Sequence, residues 1–258
     1  MKIAVAYKWT SDPEEANVGA DGTVDWSRAR PGISTYDPVA IEVARGLAQA
    51  AGAELIGVTV GAKGVGAPLA SKAVLARGLD RVVVVEDDAL KGAGSAEVAA
   101  VLSAAVRHIG DVDLVITGDS SVDIAAKMVP TVLAGELGWP AVAEVTNVTG
   151  QAGALRVARA IPGGAQVLEV SGPAVLAMSA DAAAPRVPGM KDLLAAGKKP
   201  VEKVDLAALD VPARDAVMTV TGRARPARKV RKNQILDTSD PAGAAAELVK
   251  ELRSAGAL

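Results

Sequence analysis

The stretch Asp113–Pro140, DLVITGDSSVDIAAKMVPTVLAGELGWP, reads as strand, loop and helix, and its reading decides the fold. Asp113–Thr117 is a short run rich in β-branched residues, Gly118 interrupts it, and the polar segment Asp119–Asp123 follows. Apolar residues then recur at Met128, Val129, Val132, Leu133 and Leu137, the spacing of a helix with one buried face. Gly138 and Pro140 supply the stop. A loop that leaves the carboxyl end of a parallel strand and opens a helix turns free N–H groups toward an anion. It is therefore the chain's first candidate for a phosphate site.

Working outward, the same unit recurs on the N-terminal side. Lys2–Tyr7 reads as a first strand, and Ala16–Trp26, with Gly19, Asp21 and Gly22, as a hairpin or flap. Tyr36–Asp37–Pro38 opens a helix, with Asp37 placed to cap free amides and Pro38 in the first position. Ile41, Ala44, Leu47 and Ala48 face inward along it, and Gly52 ends it. Glu54–Val60 is a second strand, followed by the turn Gly61–Gly66 and a helix to Gly78. Arg81–Val85 reads as a strand and Ser95–Ile109 as a helix. This alternation predicts an α/β fold, an open and mostly parallel sheet with helices on both faces.

Beyond Pro140 the rhythm changes. Ala141–Val145, Leu155–Ile161 and Ala165–Val170 predict antiparallel hairpins that extend the sheet, and Ala174–Met178 a last buried strand. From Ala180 onward core character fades. The chain thus divides into an α/β nucleotide-binding-type domain over 1–184 and a segment over 185–258. The latter holds a short apolar piece, an extended arm over 201–236 and a helix over Pro241–Ala255. A coreless tail of this length lies along its parent domain or wraps a partner.

Composition sets the outer bounds. A chain of 258 residues, 50% hydrophobic, buries a sizeable core, and a net charge of -2 gives no global case for nucleic acid. Cysteine is absent, which removes disulfides, thiolate nucleophiles and thiolate metal sites and fits a cytoplasmic location. No apolar stretch approaches the roughly 20 residues of a membrane span. The N-terminus turns acidic too soon for a signal peptide and reads as a core strand.

No catalytic constellation assembles. The single His108 sits at a helix end and reads as structural or solvated. Asp87–Asp88 reads as a solvated helix start, and Gly61–Gly66 matches neither the dinucleotide fingerprint nor the Walker pattern, so it reads as a plain turn. Arg223, Arg225, Arg228, Lys229, Arg231 and Lys232 form a basic run with no aromatic residue to stack a base, which favours a solvated edge or an acidic partner over RNA. Lys198–Lys199 is a docking handle or a solubilising pair. Met190, Leu193 and Leu194 are either a cap on the core or an exposed anchor for another protein.

Taken in order, the chain resembles the β subunit of the electron transfer flavoproteins over essentially its whole length. The resemblance is carried by Val5–Ala6–Lys8, by Asp37–Pro38 with Glu42, and by Thr59 with Gly61. Further along it rests on Ala76, Gly78, Asp80 and Arg81, on Leu137–Gly138–Trp139–Pro140, and on Arg159 with Gly163–Gly164. Its most specific part is Pro185–Pro200, PRVPGMKDLLAAGKKP, which is similar to the family's recognition loop.

The resemblance implies an adenine-nucleotide alpha-hydrolase-like fold and a heterodimer with an α subunit that carries the redox FAD. It implies electron flow from flavin dehydrogenases, as in fatty acid oxidation, towards a membrane quinone reductase. It also implies an AMP, or in bifurcating members a second FAD, within this subunit. The matching positions are Ala6, Asp37, Pro38, Val39, Ala40, Val60, Gly118, Asp119, Ser120, Ser121, Val122, Asp123, Ile124, Ala125, Ala126, Lys127, Met128 and Val129. Partner recognition maps to Val187, Met190, Leu193 and Leu194.

Two positions depart from the family's nucleotide loop. Met128 stands where it has a phosphate- or ribose-binding Gln, and Pro130, which has no N–H to donate, where it has Gly. Lys127 is placed to supply charge in their stead. The expectation is an electron-carrier subunit rather than an enzyme. The rivals are a bifurcating subunit with a second FAD and a stand-alone adenine-nucleotide-binding protein.

Overall fold

The computed structural model describes residues 1–151, 153–211, 221, 227 and 230–258. In chain order, β1 (Lys2–Ala6) leads into two small ribbons. One pairs β2 (Trp9–Ser11) with β5 (Pro31–Ile33), the other β3 (Asn17–Val18) with β4 (Val24–Asp25). Then come α1 (Asp37–Ala51), β6 (Glu54–Gly61), α2 (Pro68–Leu75), β7 (Arg81–Glu86), α3 (Ser95–Ile109), β8 (Leu114–Gly118) and α4 (Val129–Leu137). The C-terminal part holds β9 (Ala141–Gln151), β10 (Ala154–Ile161), β11 (Gly164–Val170), β12 (Ala174–Met178), α5 (Met190–Ala196), β13 (Val201–Val204) and α6 (Pro241–Ser254).

Nine strands form one sheet in the order β11-β10-β9-β12-β8-β1-β6-β7-β13. Every pair from β9 to β13 is parallel, and only β10 and β11 run antiparallel to their neighbours. The fold is α/β, as the alternation predicts. Along β1 the side chains alternate between two cores. Ile3 and Val5 pack beneath α1, while Ala4 and Ala6 pack with α3 and α4 on the other face. That period-2 alternation, with apolar residues on both faces, is what a sheet covered by helices on both sides requires.

From β1 the chain winds outward through β6 and β7, then returns to the other side of β1 with β8. The order reverses there. The carboxyl ends of β1 and β8 flank the crevice at which doubly wound sheets bind ligands.

The C-terminal region differs from its sequence reading in two places. Ala141–Gln151 is longer than expected and runs parallel to β12, so the antiparallel extension begins only at β10. Val201–Val204, read as the start of a free arm, is a ninth strand hydrogen-bonded to β7, with Val204 buried. Its sequence, VEKV, buries one side chain in four and keeps charges outward. That is how an edge strand is blunted, and it leaves little periodicity to detect. Most of the remaining arm, with Arg223, Arg225, Arg228 and Lys229, lies outside the described residues, while Arg231 and Lys232 are exposed.

Candidate functional site

The crevice between β1 and β8 is assembled by three segments distant in sequence. The N-terminus of α1 enters it through Asp37, which is fully buried. Its carboxylate does not cap its own helix, as the sequence suggested. It accepts the backbone N–H of Lys8 at 2.7 Å and that of Gly118, tying the exits of β1 and β8 together. Burial pushes this carboxyl up to about 7, and the two N–H donors only partly offset the cost of removing it from water. Gly118 admits this approach because it lacks a Cβ, which would sit 2.8 Å from Asp37 Oδ1 and 2.8 Å from Tyr36 Cβ.

The loop from Asp119 to Met128 lies over this seam and is pinned at both ends. On one side Lys8 Nζ donates to Asp123 at 2.7 Å and 2.8 Å, Thr10 Oγ1 adds a bond of 3.1 Å, and Val122 N–H donates to Ser34 Oγ. Burial opposes ionisation of Asp123, but the Lys8 ammonium with the Ser121 and Thr10 hydroxyls outweighs it and holds the carboxyl below its ordinary value. On the other side Lys127 Nζ bridges Asp119 Oδ2 at 3.0 Å and Glu144 Oε1 at 2.8 Å. Those hydrogen bonds, Glu144's first, raise Lys127 above the usual lysine range. α4 then begins with Pro130 in its first turn and no side-chain cap at Met128.

A cavity of about 330 Å³ opens beside this loop, beneath the ribbon of β2 and β5. Thr10, Asp12, Glu15, Arg30, Pro31, Thr35 and Val122 are among its walls. Its volume falls within the range of small-molecule sites, roughly 300–1,000 Å³. The ribbon was legible only as a flap. Its contribution of Lys8, Thr10 and Ser34 to the loop carries no sequence signal, because each contact spans 88 to 115 positions.

The structure brings the expected nucleotide residues to one edge of the sheet, in unequal roles. Ala6, Val60 and Gly118 end neighbouring strands at the carboxyl edge. Val39 and Ala40 are buried in the core, and Pro38 has no N–H, so Val39 and Ala40 would offer a ligand only first-turn amides. Ile124, Ala125, Ala126, Lys127 and Met128 are exposed. Glu144 went unnoticed because nothing in a strand sequence marks a side chain re-aimed by a bulge.

Elsewhere the plain readings hold. The Gly64 and Gly66 amides both donate to Glu86 Oε2, at 2.9 Å and 2.8 Å, so that turn is already closed on a carboxylate. His108 Nε2 lies 2.8 Å from Glu202 Oε1, a surface contact. Asp87 accepts from the Ala89 N–H and starts a short 3-10 turn. Lys199 Nζ donates to the carbonyls of Leu75 and Leu79 just beyond α2, a structural role.

A second surface surrounds α5. Arg77 Nη1 donates to the Arg186 carbonyl and Arg186 Nη2 to the Ala76 carbonyl, locking the segment before α5 to the end of α2. On that platform Leu193 turns inward against the core and Ala196 is buried. The anchor residues therefore divide. Leu193 holds the helix down, whereas Val187, Met190 and Leu194 project outward, 90%, 74% and 66% exposed.

Among the described residues no helix is long and apolar enough to cross a membrane. The family model described as the electron transfer flavoprotein domain matches residues 22–209. That span runs from the ribbons through the seam and the α5 platform to the end of the nine-stranded sheet, so the chain belongs to the electron transfer flavoprotein family.

Proposed function

We propose that this chain is the β subunit of a heterodimeric electron transfer flavoprotein. It accepts electrons from flavin dehydrogenases of the acyl-CoA dehydrogenase type and passes them towards a quinone reductase. The observation that carries this reading is the α5 platform. Three large apolar side chains stand exposed on a segment that two arginines hold rigid, as a docking anchor requires. The tail supports a permanent partner. α6 is a 14-residue helix with no buried residue, and an unpacked helix of that length is marginal in water. Val230 and Ile235 on the approach to it are almost fully exposed, surface suited to wrapping the α subunit.

In this reading the FAD held with the α subunit supplies the one- and two-electron chemistry, and the present chain holds, orients and presents it. The seam between β1 and β8 takes an adenine nucleotide. The cavity size, the lysines at positions 8 and 127, and the buried, unpartnered Asp119 Oδ1 and Ser120 Oγ fit a polar mononucleotide.

The test is to co-purify the chain with an α subunit and mix the complex with a substrate-reduced flavin dehydrogenase. Bleaching of the complex's flavin absorption is expected, and Met190→Ala should slow it. Bleaching at the same rate with Met190→Ala, Val187→Ala and Leu194→Ala combined would contradict the docking role.

A further inference from the structure

Backbone strain gathers on one side-chain cluster. Among the described residues, five that are not glycine have positive φ: Asp111, Ala125, Lys127, Glu144 and Asn233. Asp and Asn tolerate the left-handed region because their short polar side chains bond locally, whereas Ala, Lys and Glu are held there against their preference. These last three converge. Ala125 and Lys127 lie in the loop after β8, and Glu144 lies in a bulge of β9, where Ala143 and Glu144 face the single residue Ala177. A bulge re-aims a side chain. This one aims Glu144 at Lys127 Nζ, which also holds Asp119 Oδ2.

Asp119 is only 6% exposed, yet its second oxygen, Oδ1, has no partner within the protein, and neither has the buried Ser120 Oγ. A buried carboxylate oxygen without a donor is costly and points to a donor from outside the chain. Lys127 stands two residues before the first residue of α4, whose first turn has lost an N–H to Pro130 and has no side-chain cap. Half exposed, it exchanges one anionic partner for another at little cost.

We propose that Asp119, Lys127 and Glu144 form a clasp for a ribonucleoside monophosphate, in which Asp119 Oδ1 accepts a ribose hydroxyl and Lys127 leaves Glu144 for the phosphate. The clasp rests on the nucleotide reading of the seam. Glu144 thereby tunes affinity by competing with the phosphate for Lys127. A phosphate dianion makes stronger charge-assisted bonds than one carboxylate, so binding breaks the Lys127–Glu144 pair.

Calorimetric titration of the full-length chain with AMP tests this, with adenosine as a second probe. Lys127→Met should weaken AMP binding by about tenfold and Glu144→Gln should tighten it by roughly three- to tenfold, the scale of one charge-assisted bond. Lys127→Arg should stay close to wild type, guarding against a folding defect in the Met variant. Adenosine affinity should be the same in all of them, because it presents no phosphate. Equal AMP affinity across wild type, Lys127→Met and Glu144→Gln would overturn the clasp and leave the nucleotide reading intact. No AMP binding to any of them would overturn both.

Discussion

Asp37 shows how a residue visible in the sequence acquires an unforeseen task. Its place before Pro38 marks a helix start, but its carboxylate binds backbone 29 positions earlier and at Gly118, far along the chain. Only the parallel order of β8 beside β1 makes those contacts possible. The raised pKa carries a definite sign. Between an unfolded value near 4 and the folded value of about 7, the folded state holds a proton that the unfolded state has lost. The stability from Asp37 is fully present below about pH 4 and declines as pH rises through 7, by on the order of 4 kcal/mol at most. Denaturation midpoints of wild type and Asp37→Asn across this range should converge as pH rises, and parallel profiles would show that Asp37 is not the titrating group. Gly118→Ala sets a Cβ against Asp37 and Tyr36, so urea denaturation should report a loss of roughly 1–3 kcal/mol, the usual cost of overpacking. An unchanged midpoint would mean that the seam yields.

At the scale of elements, repeating βα units were legible because both signals, apolar runs and helical spacing, are local. Elements that depend on sparse burial were not. β13 contributes one buried side chain, and the bulge of β9 leaves no trace in composition. α5 was left open between cap and anchor, and the structure gives it both roles on opposite faces. The two faces should separate experimentally. Leu193→Ala should lower stability by about 1–3 kcal/mol, since it empties a partly buried site beside the core. Met190→Ala and Leu194→Ala should shift the midpoint by less than about 0.5 kcal/mol, as exposed substitutions do. Equal losses at all three positions would contradict the division.

For the whole molecule, sequence order sufficed to read the sheet and the family, because parallel topology follows from alternating elements. It did not show the cavity, which forms only when the ribbon of β2 and β5 closes over the loop after β8. Nor does the tail state its purpose alone, since α6 buries nothing within this chain. The central claim is that the molecule is half of an electron carrier whose redox flavin is held with a partner. The flavin-to-protein ratio of the complex purified after co-expression with an α subunit tests it most directly. One FAD per pair of chains, with no flavin retained by this chain purified alone, is the predicted result. Flavin bound stoichiometrically by the lone chain, or no complex with the α subunit, would contradict it.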